Sequence, residues 1–327
     1  MQENYVLFFD EARNLRREIV RILTAAGCEC TVPQSLSELE RAVKEQQFPI
    51  YILDLAGHRH LTSQGVDLAD VPTIVLSVEP LAQTYSYLSS VKTFPFFVAK
   101  QDEGIIARDL LVTIRKILDK DIFGVKKYLS WGASSTAYQV RDSDERHIHI
   151  ESALNFCRRM KLRKPLLRSV QTFCEEMLMN AIYDAPRDQH GHGLYADQPR
   201  DKQVLLSLKD SAILEVASDG ERLGISVSDP FGAITRNVVL KYLTKCFDGA
   251  SVTTETSGAG LGLYLSFNAV SSFIVNAAPH SKTEFIGIFD LTSSVAETQR
   301  NHTSFYYFTT DQRASQFSTP ETLRKLA

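Results

Sequence analysis

The chain has 327 residues, 44% of them hydrophobic and 23% charged, with a formal net charge of −3 and a pI near 6.3. That length suits two domains, each able to bury its own core, and the slightly acidic balance gives no electrostatic reason to expect a nucleic-acid partner. No apolar run reaches the roughly eighteen residues of a membrane span, and the opening MQENYVLFFDEARNLRREIV lacks the basic-then-apolar order of a signal peptide, so a cytoplasmic protein without membrane contact is expected.

The chain opens on alternating patterns: an apolar YVLFF (residues 5–9), an amphipathic EARNLRREIVRILTAAG, a short CECTV, and SLSELERAVKEQ with Ser35 placed to cap a helix. Such βαβα alternation implies a parallel sheet between helices. The runs PIYILDL, PTIVLSV and FPFFVAK are nearly continuous in apolar residues, as strands buried on both faces are. Ligands of parallel sheets bind at the carboxyl ends of the strands, and the polar residues fall there: Asp10 and Glu11, Asp54, Ser77 and Lys100.

This set resembles the receiver domains of two-component response regulators, over roughly residues 1–118, with a flavodoxin-like α/β fold implied. The resemblance implies Mg²⁺ held by Asp10, Glu11 and Asp54, phosphate accepted by Asp54, and switch contacts from Ser77 and Lys100. Two departures stand out. LAGHRHLTSQGVDLADVP after Asp54 is short for a loop plus a full third helix, and its Gly and Pro content weakens any helix there; Gln101 follows Lys100 where the family usually has proline. Phosphorylation at Asp54 and a degenerate, docking-only receiver are both open.

EGIIARDLLVTIRKILDKDIFGVKKYL carries i, i+3, i+4, i+7 apolar spacing and closes the first domain. The small and polar residues after it place a linker over 119–135. ERHIHIES, with its period of two, predicts a strand. MKLRKPLLRSV resembles the phosphoacceptor box of histidine kinases in its Leu-Arg-x-Pro-Leu portion, but Met160 stands where that box has histidine. A histidine kinase is therefore disfavoured.

PLLRSVQTFCEEMLMNAIYDA shows helical spacing with Glu176 and Asn180 four apart on one face. GISVSDPFGAI reads as an alternating strand ending at Asp229, then a turn with Gly232. TETSGAGLGLYLSFNAV packs Gly258, Gly260 and Gly262 before an apolar helix starting near Leu261. In this order the three stretches resemble the nucleotide-binding boxes of the GHKL ATPase superfamily (gyrase B, the large chaperone ATPases, histidine kinases, MutL). An α+β Bergerat-type sandwich over 136–309 is implied, followed by a polar tail at 310–327.

The resemblance implies ATP and Mg²⁺ as ligands. Asn180 would ligate Mg²⁺, Asp229 would accept from the adenine amino group, and Gly258, Gly260, Leu261 and Gly262 would bring backbone N–H groups to the phosphates. Glu176 stands where some members keep a general base. The turn after Asp229 keeps only Gly232, since Phe231 and Ala233 replace the usual glycines.

TRNVVLKYLTKCFDGASVTTETSG makes a short lid whose helical half ends near Phe247, which looks most like the anti-sigma-factor serine kinases. Those phosphorylate a serine or threonine of an antagonist protein and bind a sigma factor. A receiver-regulated protein kinase of that type is the leading expectation, with a sigma factor, antagonist or kinase-like protein as partner and a homodimer left open. A non-catalytic, ATP-dependent interaction switch is the alternative.

QVLLSLKD, AILEVASD, GISVSDP, FIVNAAP, EFIGIFDL and TSFYYFTT are expected as the strands of the second sheet. Cysteines 28, 30, 157, 174 and 246 have neither zinc-type spacing nor a small secreted frame, so reduced and mostly buried thiols are expected. The pairs His58/His60, His147/His149 and His190/His192 are read as loops and a strand face, because no cysteine or carboxylate motif joins them as metal ligands.

Overall fold

The computed structural model describes residues 4–100, 107–188, 190–247, 261–292 and 302–310. Two compact units divide between Ile122 and Phe123. In the first, strands β1 (Tyr5–Phe9), β2 (Glu29–Thr31), β3 (Ile50–Asp54), β4 (Thr73–Ser77) and β5 (Phe96–Ala99) alternate with helices α1 (Arg13–Ala25), α2 (Leu36–Glu45), α3 (Leu55–Ser63), α4 (Leu81–Ser90) and α5 (Ala107–Asp119). Every ladder among these strands is parallel, in the doubly wound, flavodoxin-like order β2-β1-β3-β4-β5.

The continuous apolar runs become strands because both faces are covered: every residue of β3 and β4 is buried. On one face Leu7, Phe9, Tyr51 and Leu53 pack with Leu39 of α2 and Leu61 of α3. The N-terminus of α2 is fixed as its sequence implies, with Ser35 Oγ accepting from the Glu38 N–H.

The stretch after Asp54 corrects the sequence reading. Helix α3 follows β3 with no intervening loop, and His58 and His60, read as loop residues, lie on it. Its helix propensity is poor, but Leu55, Gly57, His58 and Leu61 are buried, so tertiary packing outweighs local preference.

His58 is 2% exposed, with Nδ1 2.6 Å from the Tyr87 hydroxyl of α4; that hydroxyl also meets Thr62 Oγ1 at 2.9 Å, and the Arg59 guanidinium lies over the Tyr87 ring. Burial pushes the imidazole down to about 4. A folded pKa below the unfolded one means that the unfolded chain takes up the proton first. Stability is therefore full above about pH 6.5 and falls as pH drops toward 4. Between pH 7 and pH 5 the protein is expected to lose about 2 kcal/mol more than a His58→Gln variant in paired urea titrations. Equal losses would contradict the burial of a neutral imidazole.

The second unit has strands β6 (Ser134–Val140), β7 (Ala212–Ser218), β8 (Arg222–Asp229), β9 (Ser272–Ala278), β10 (Lys282–Asp290) and β11 (Ser304–Thr309). Its helices are α6 (Arg146–Arg159), α7 (Lys164–Met179), α8 (Arg236–Phe247) and α9 (Leu261–Asn268). The sheet order is β11-β9-β10-β8-β7-β6, parallel only between β11 and β9. Helices α6 and α7 pack on each other and on the sheet, and α7 also packs on α9. Phe173 of α7 anchors this layer, with ring centroids 6.1 Å from both Phe273 and Phe289.

The region read as a linker, 119–135, is ordered from Phe123 onward as part of this unit. The Gly124 N–H donates to Glu284 Oε2 at 2.9 Å, and that fully buried carboxylate also accepts from Ser226 and Asn276. Val125 and Tyr128 are completely buried, and Ser134 already belongs to β6.

Two further sequence readings are corrected. ERHIHIES is the start of helix α6, where Ile150, Ala153, Leu154 and Cys157 are buried at helical spacing; the alternation of the histidines covers only the first turn, in which Ile148 is 52% exposed. QVLLSLKD alternates as expected, with Val204 and Leu206 buried, but forms one bridge, Leu205 with Asp142, and then a 3-10 turn over Leu208–Asp210. The expected strands β7 to β11 and the expected helices α7 and α8 are present. Cys28, Cys157 and Cys174 are buried free thiols and Cys30 is half-buried and free. The side chain of Cys246, the glycines at 258 and 260, the second half of the lid and the tail from 311 lie outside the described residues.

Candidate functional site

In the first unit, Asp10, Asp54, Ser77 and Lys100 come together at the carboxyl ends of β1, β3, β4 and β5. Asp10 is 1% exposed; its Oδ2 is 2.6 Å from Lys100 Nζ and its Oδ1 accepts from the Ala12 N–H. Asp54 caps α3: Oδ1 accepts from the Gly57 N–H at 2.7 Å and Oδ2 from the Glu11 N–H at 2.8 Å. Burial raises the Asp54 pKa and the Asp10 charge adds to the rise, against those two N–H groups and Lys100. Ser77 Oγ turns to its own backbone, bonding the Glu79 N–H and carbonyl. The Glu11 side chain is exposed. Among the described residues no three His, Cys, Asp or Glu side chains are arranged to hold a metal ion.

In the second unit, β8 delivers Asp229 to a nearly closed site. The carboxylate is 5% exposed and its Oδ1 accepts from the Phe231 N–H at 2.9 Å. Burial pushes its pKa up to about 6, against the N–H groups of Phe231 and Gly232, the Thr283 hydroxyl and the charge of Arg187. Gly232 has φ +61°, and a Cβ there would stand 2.0 Å from the Ala278 carbonyl oxygen and 2.8 Å from two further backbone nitrogens. Only glycine passes the β9–β10 turn so closely.

Thr283 was missed by sequence reasoning. It pairs with Asp229 across the β8–β10 ladder, is 1% exposed, and its hydroxyl makes no hydrogen bond of normal geometry even though it lies near enough to stabilise the Asp229 charge. An alternation count along KTEFIGIFD would have put Thr283 on the same face as Phe285, but the register that sets it opposite Asp229 is a tertiary property.

Helix α7 carries the other polar pair. Asn180 ends the α-helix and opens a π-helical turn, Asn180–Asp184, a device that often re-aims side chains at functional sites. The side chains of Glu176 and Asn180 are half-buried and make no hydrogen bond among the described residues. Burial raises the Glu176 pKa, with Glu175 adding and Arg146 and Arg200 opposing. The Glu176 carboxylate lies directly against Gly262, where a Cβ would stand 1.6 Å from Oε2. Gly262 therefore leaves room for an acid at the first turn of α9. An uncommitted amide at Asn180, an orphaned buried hydroxyl at Thr283 and the space kept by Gly262 fit a nucleotide with its metal ion.

No protein-family model and no curated protein matches the chain. Among solved structures it is similar to the receiver domain of the Francisella response regulator 1452, at 14% identity and TM-score 0.29, covering 36% of this chain and 98% of that one. It is also similar to the receiver domain of NtrC4 from Aquifex aeolicus, at 17% identity and TM-score 0.28 over the same shares. Among the described residues no helix is long and apolar enough to cross a membrane.

Proposed function

We propose that the second unit binds Mg-ATP and transfers its γ-phosphate to a hydroxyl of a regulatory partner protein, as the anti-sigma-type serine kinases do, under control of the first unit. The buried Asp229 carries this reading. An ionised carboxylate held by a fixed turn, with a buried hydroxyl opposite, is an acceptor waiting for a donor, and the adenine amino group supplies one. Guanine would present a carbonyl at that position and be repelled.

Asn180 would hold the Mg²⁺, which when bound neutralises charge on the triphosphate. Gly258 and Gly260, with the start of α9, would receive the phosphates. Glu176, its pKa already raised by burial, would take the proton of the attacking hydroxyl as its oxygen bonds the γ-phosphorus and the bond to the β-phosphate oxygen breaks. A nucleotide-gated interaction without transfer is the second reading, favoured by Phe231 and Ala233 in place of the turn glycines.

For the first unit, docking without phosphorylation fits better than a phosphoacceptor site. Lys100 already neutralises Asp10, and both oxygens of Asp54 are engaged, Oδ1 capping α3 through the Gly57 N–H and Oδ2 accepting from the Glu11 N–H. Its regulatory effect would then come from the surface it offers a partner.

Slow release of phosphate from ATP, with water as acceptor, tests the catalytic assignment without a known partner. Glu176→Gln is expected to lower that rate about 100-fold with ATP affinity unchanged, whereas Asn180→Ala loses both. An unaltered rate in Glu176→Gln would remove the base and leave the switch.

A further inference from the structure

Along the last turns of α7, Phe173, Cys174, Met177 and Leu178 are completely buried, while Glu175, Glu176, Met179 and Asn180 are half-buried. Both sets follow helical spacing, so the second is one stripe of the helix surface. Two guanidinium groups stand near it: burial raises the Glu176 pKa, and the charges of Arg146 and Arg200 oppose the rise.

The two are held differently. Arg200, from the segment between α7 and β7, has Nη2 2.7 Å from Asp184 Oδ1, and its guanidinium lies 5.0 Å from the centre of the Tyr183 ring. A carboxylate therefore already neutralises it. Arg146, the first residue of α6, is half-buried, and its Nη1 is 2.8 Å from Met179 Sδ. A thioether is a weak, uncharged acceptor, so it fixes the side chain and leaves the guanidinium its whole charge. Among the described residues no carboxylate forms an ion pair with Arg146.

Holding a cation partly out of water costs solvation free energy, and an anionic ligand restores it. The place points to phosphate. Met179 immediately precedes Asn180, and Glu176, one turn back on the same stripe, lies against Gly262 at the start of α9. With one Nη1 proton directed at sulfur, the Nε and Nη2 edge of Arg146 keeps two parallel N–H groups, the fork that fits a pair of phosphate oxygens.

We propose that Arg146 binds the γ-phosphate of ATP, so that the second unit distinguishes ATP from ADP. This rests on the reading of that unit as a Mg-ATP site and adds the residue that reads the third phosphate. Arg200, committed to Asp184, has no part in the distinction.

Mg-ATP and Mg-ADP titrated separately into the full chain in a calorimeter test it. Arg146→Met is expected to weaken ATP binding about 10- to 100-fold, the range of charge-assisted hydrogen bonds, and to leave ADP affinity unchanged. Arg146→Gln, a second neutral variant, should give the same result, and Arg146→Lys, which keeps the charge but loses the fork, a smaller loss. Arg200→Met should keep the wild-type ratio of ATP to ADP affinity. Arg146 variants that lose ATP and ADP alike, or lose neither, would overturn the proposal and leave the Mg-ATP site standing, as would an equal change of ratio in Arg200→Met. Wild-type protein that binds neither nucleotide would remove the site and the proposal together.

Discussion

Replacing Asp229 by asparagine is expected to weaken ATP binding by about two orders of magnitude while making the nucleotide-free protein more stable at pH 7. The loss follows from exchanging a charged acceptor for an amide in a buried site; a hydrogen bond to a charged group contributes about 1.5–3 kcal/mol. The stability gain follows from the sign of the pKa shift. Asp229 is 5% exposed and titrates near 6 in the fold, above its value in the unfolded chain. Its ionised form is thus disfavoured by folding: the contribution of Asp229 to stability is greatest below about pH 4 and falls by on the order of 3 kcal/mol as pH rises through 6, opposite in sign to that of His58. Asparagine removes that dependence. In paired urea titrations the variant should therefore exceed the wild type in stability by its full margin at about pH 7.5 and by much less at about pH 4.5, the His58 dependence being common to both. A variant that binds ATP normally, or is less stable than the wild type at pH 7.5, would contradict a role for Asp229 as a buried charge kept for a ligand.

Gly232→Ala is expected to cost more, about 3 kcal/mol or above, and to abolish ATP binding as well. The added Cβ meets backbone on three sides, at 2.0 Å from the Ala278 oxygen and 2.8 Å from the nitrogens of His280 and Ser281, and no rotamer change relieves a clash with main chain. The positive φ adds a further penalty of about 1 kcal/mol. Since this turn also aims the Phe231 N–H at Asp229, displacing it disturbs the carboxylate. Gly220→Ala separates the two causes. That glycine has φ +91° but nothing within 4 Å of an added Cβ, so it should show the conformational penalty alone, about 1 kcal/mol, with ATP binding intact. Equal losses at the two glycines would show that the close approach at Gly232 is not what makes it necessary.

Much of this architecture can be read from the sequence where one physical signal dominates. The strands β3 and β4 announce themselves because burial on both faces leaves no polar alternation, and the residues gathered at the sheet's carboxyl end sit where a doubly wound topology must put them. Asp229 and Gly232 are legible because a strand ending in an acid and followed by a glycine turn is a local pattern. What escapes the sequence is set by packing. Helix α3 has little intrinsic propensity and exists because it is capped by Asp54 and buried through Leu55 and Leu61. Asp54, whose phosphorylation the sequence leaves open, is engaged by the Gly57 N–H of that helix and by the Glu11 N–H. Helix α6 was hidden because two histidines and two isoleucines imitate a strand over one turn. Thr283 escaped because only the ladder register, eight paired positions long, identifies its neighbour. The role of Gly262 changed in the same way: beside its expected closeness to phosphate, it has to accommodate Glu176.

The central claim, that the second unit is an adenine-nucleotide site built on Asp229, is tested most directly by titrating the full chain with ATP and with GTP in the presence of Mg²⁺ in a calorimeter. ATP should saturate one site per chain, and GTP should give no measurable binding over the same range, because guanine presents its O6 acceptor to the buried carboxylate where adenine presents its amino donor. Equal affinity for the two nucleotides, or no heat with ATP, would contradict the account.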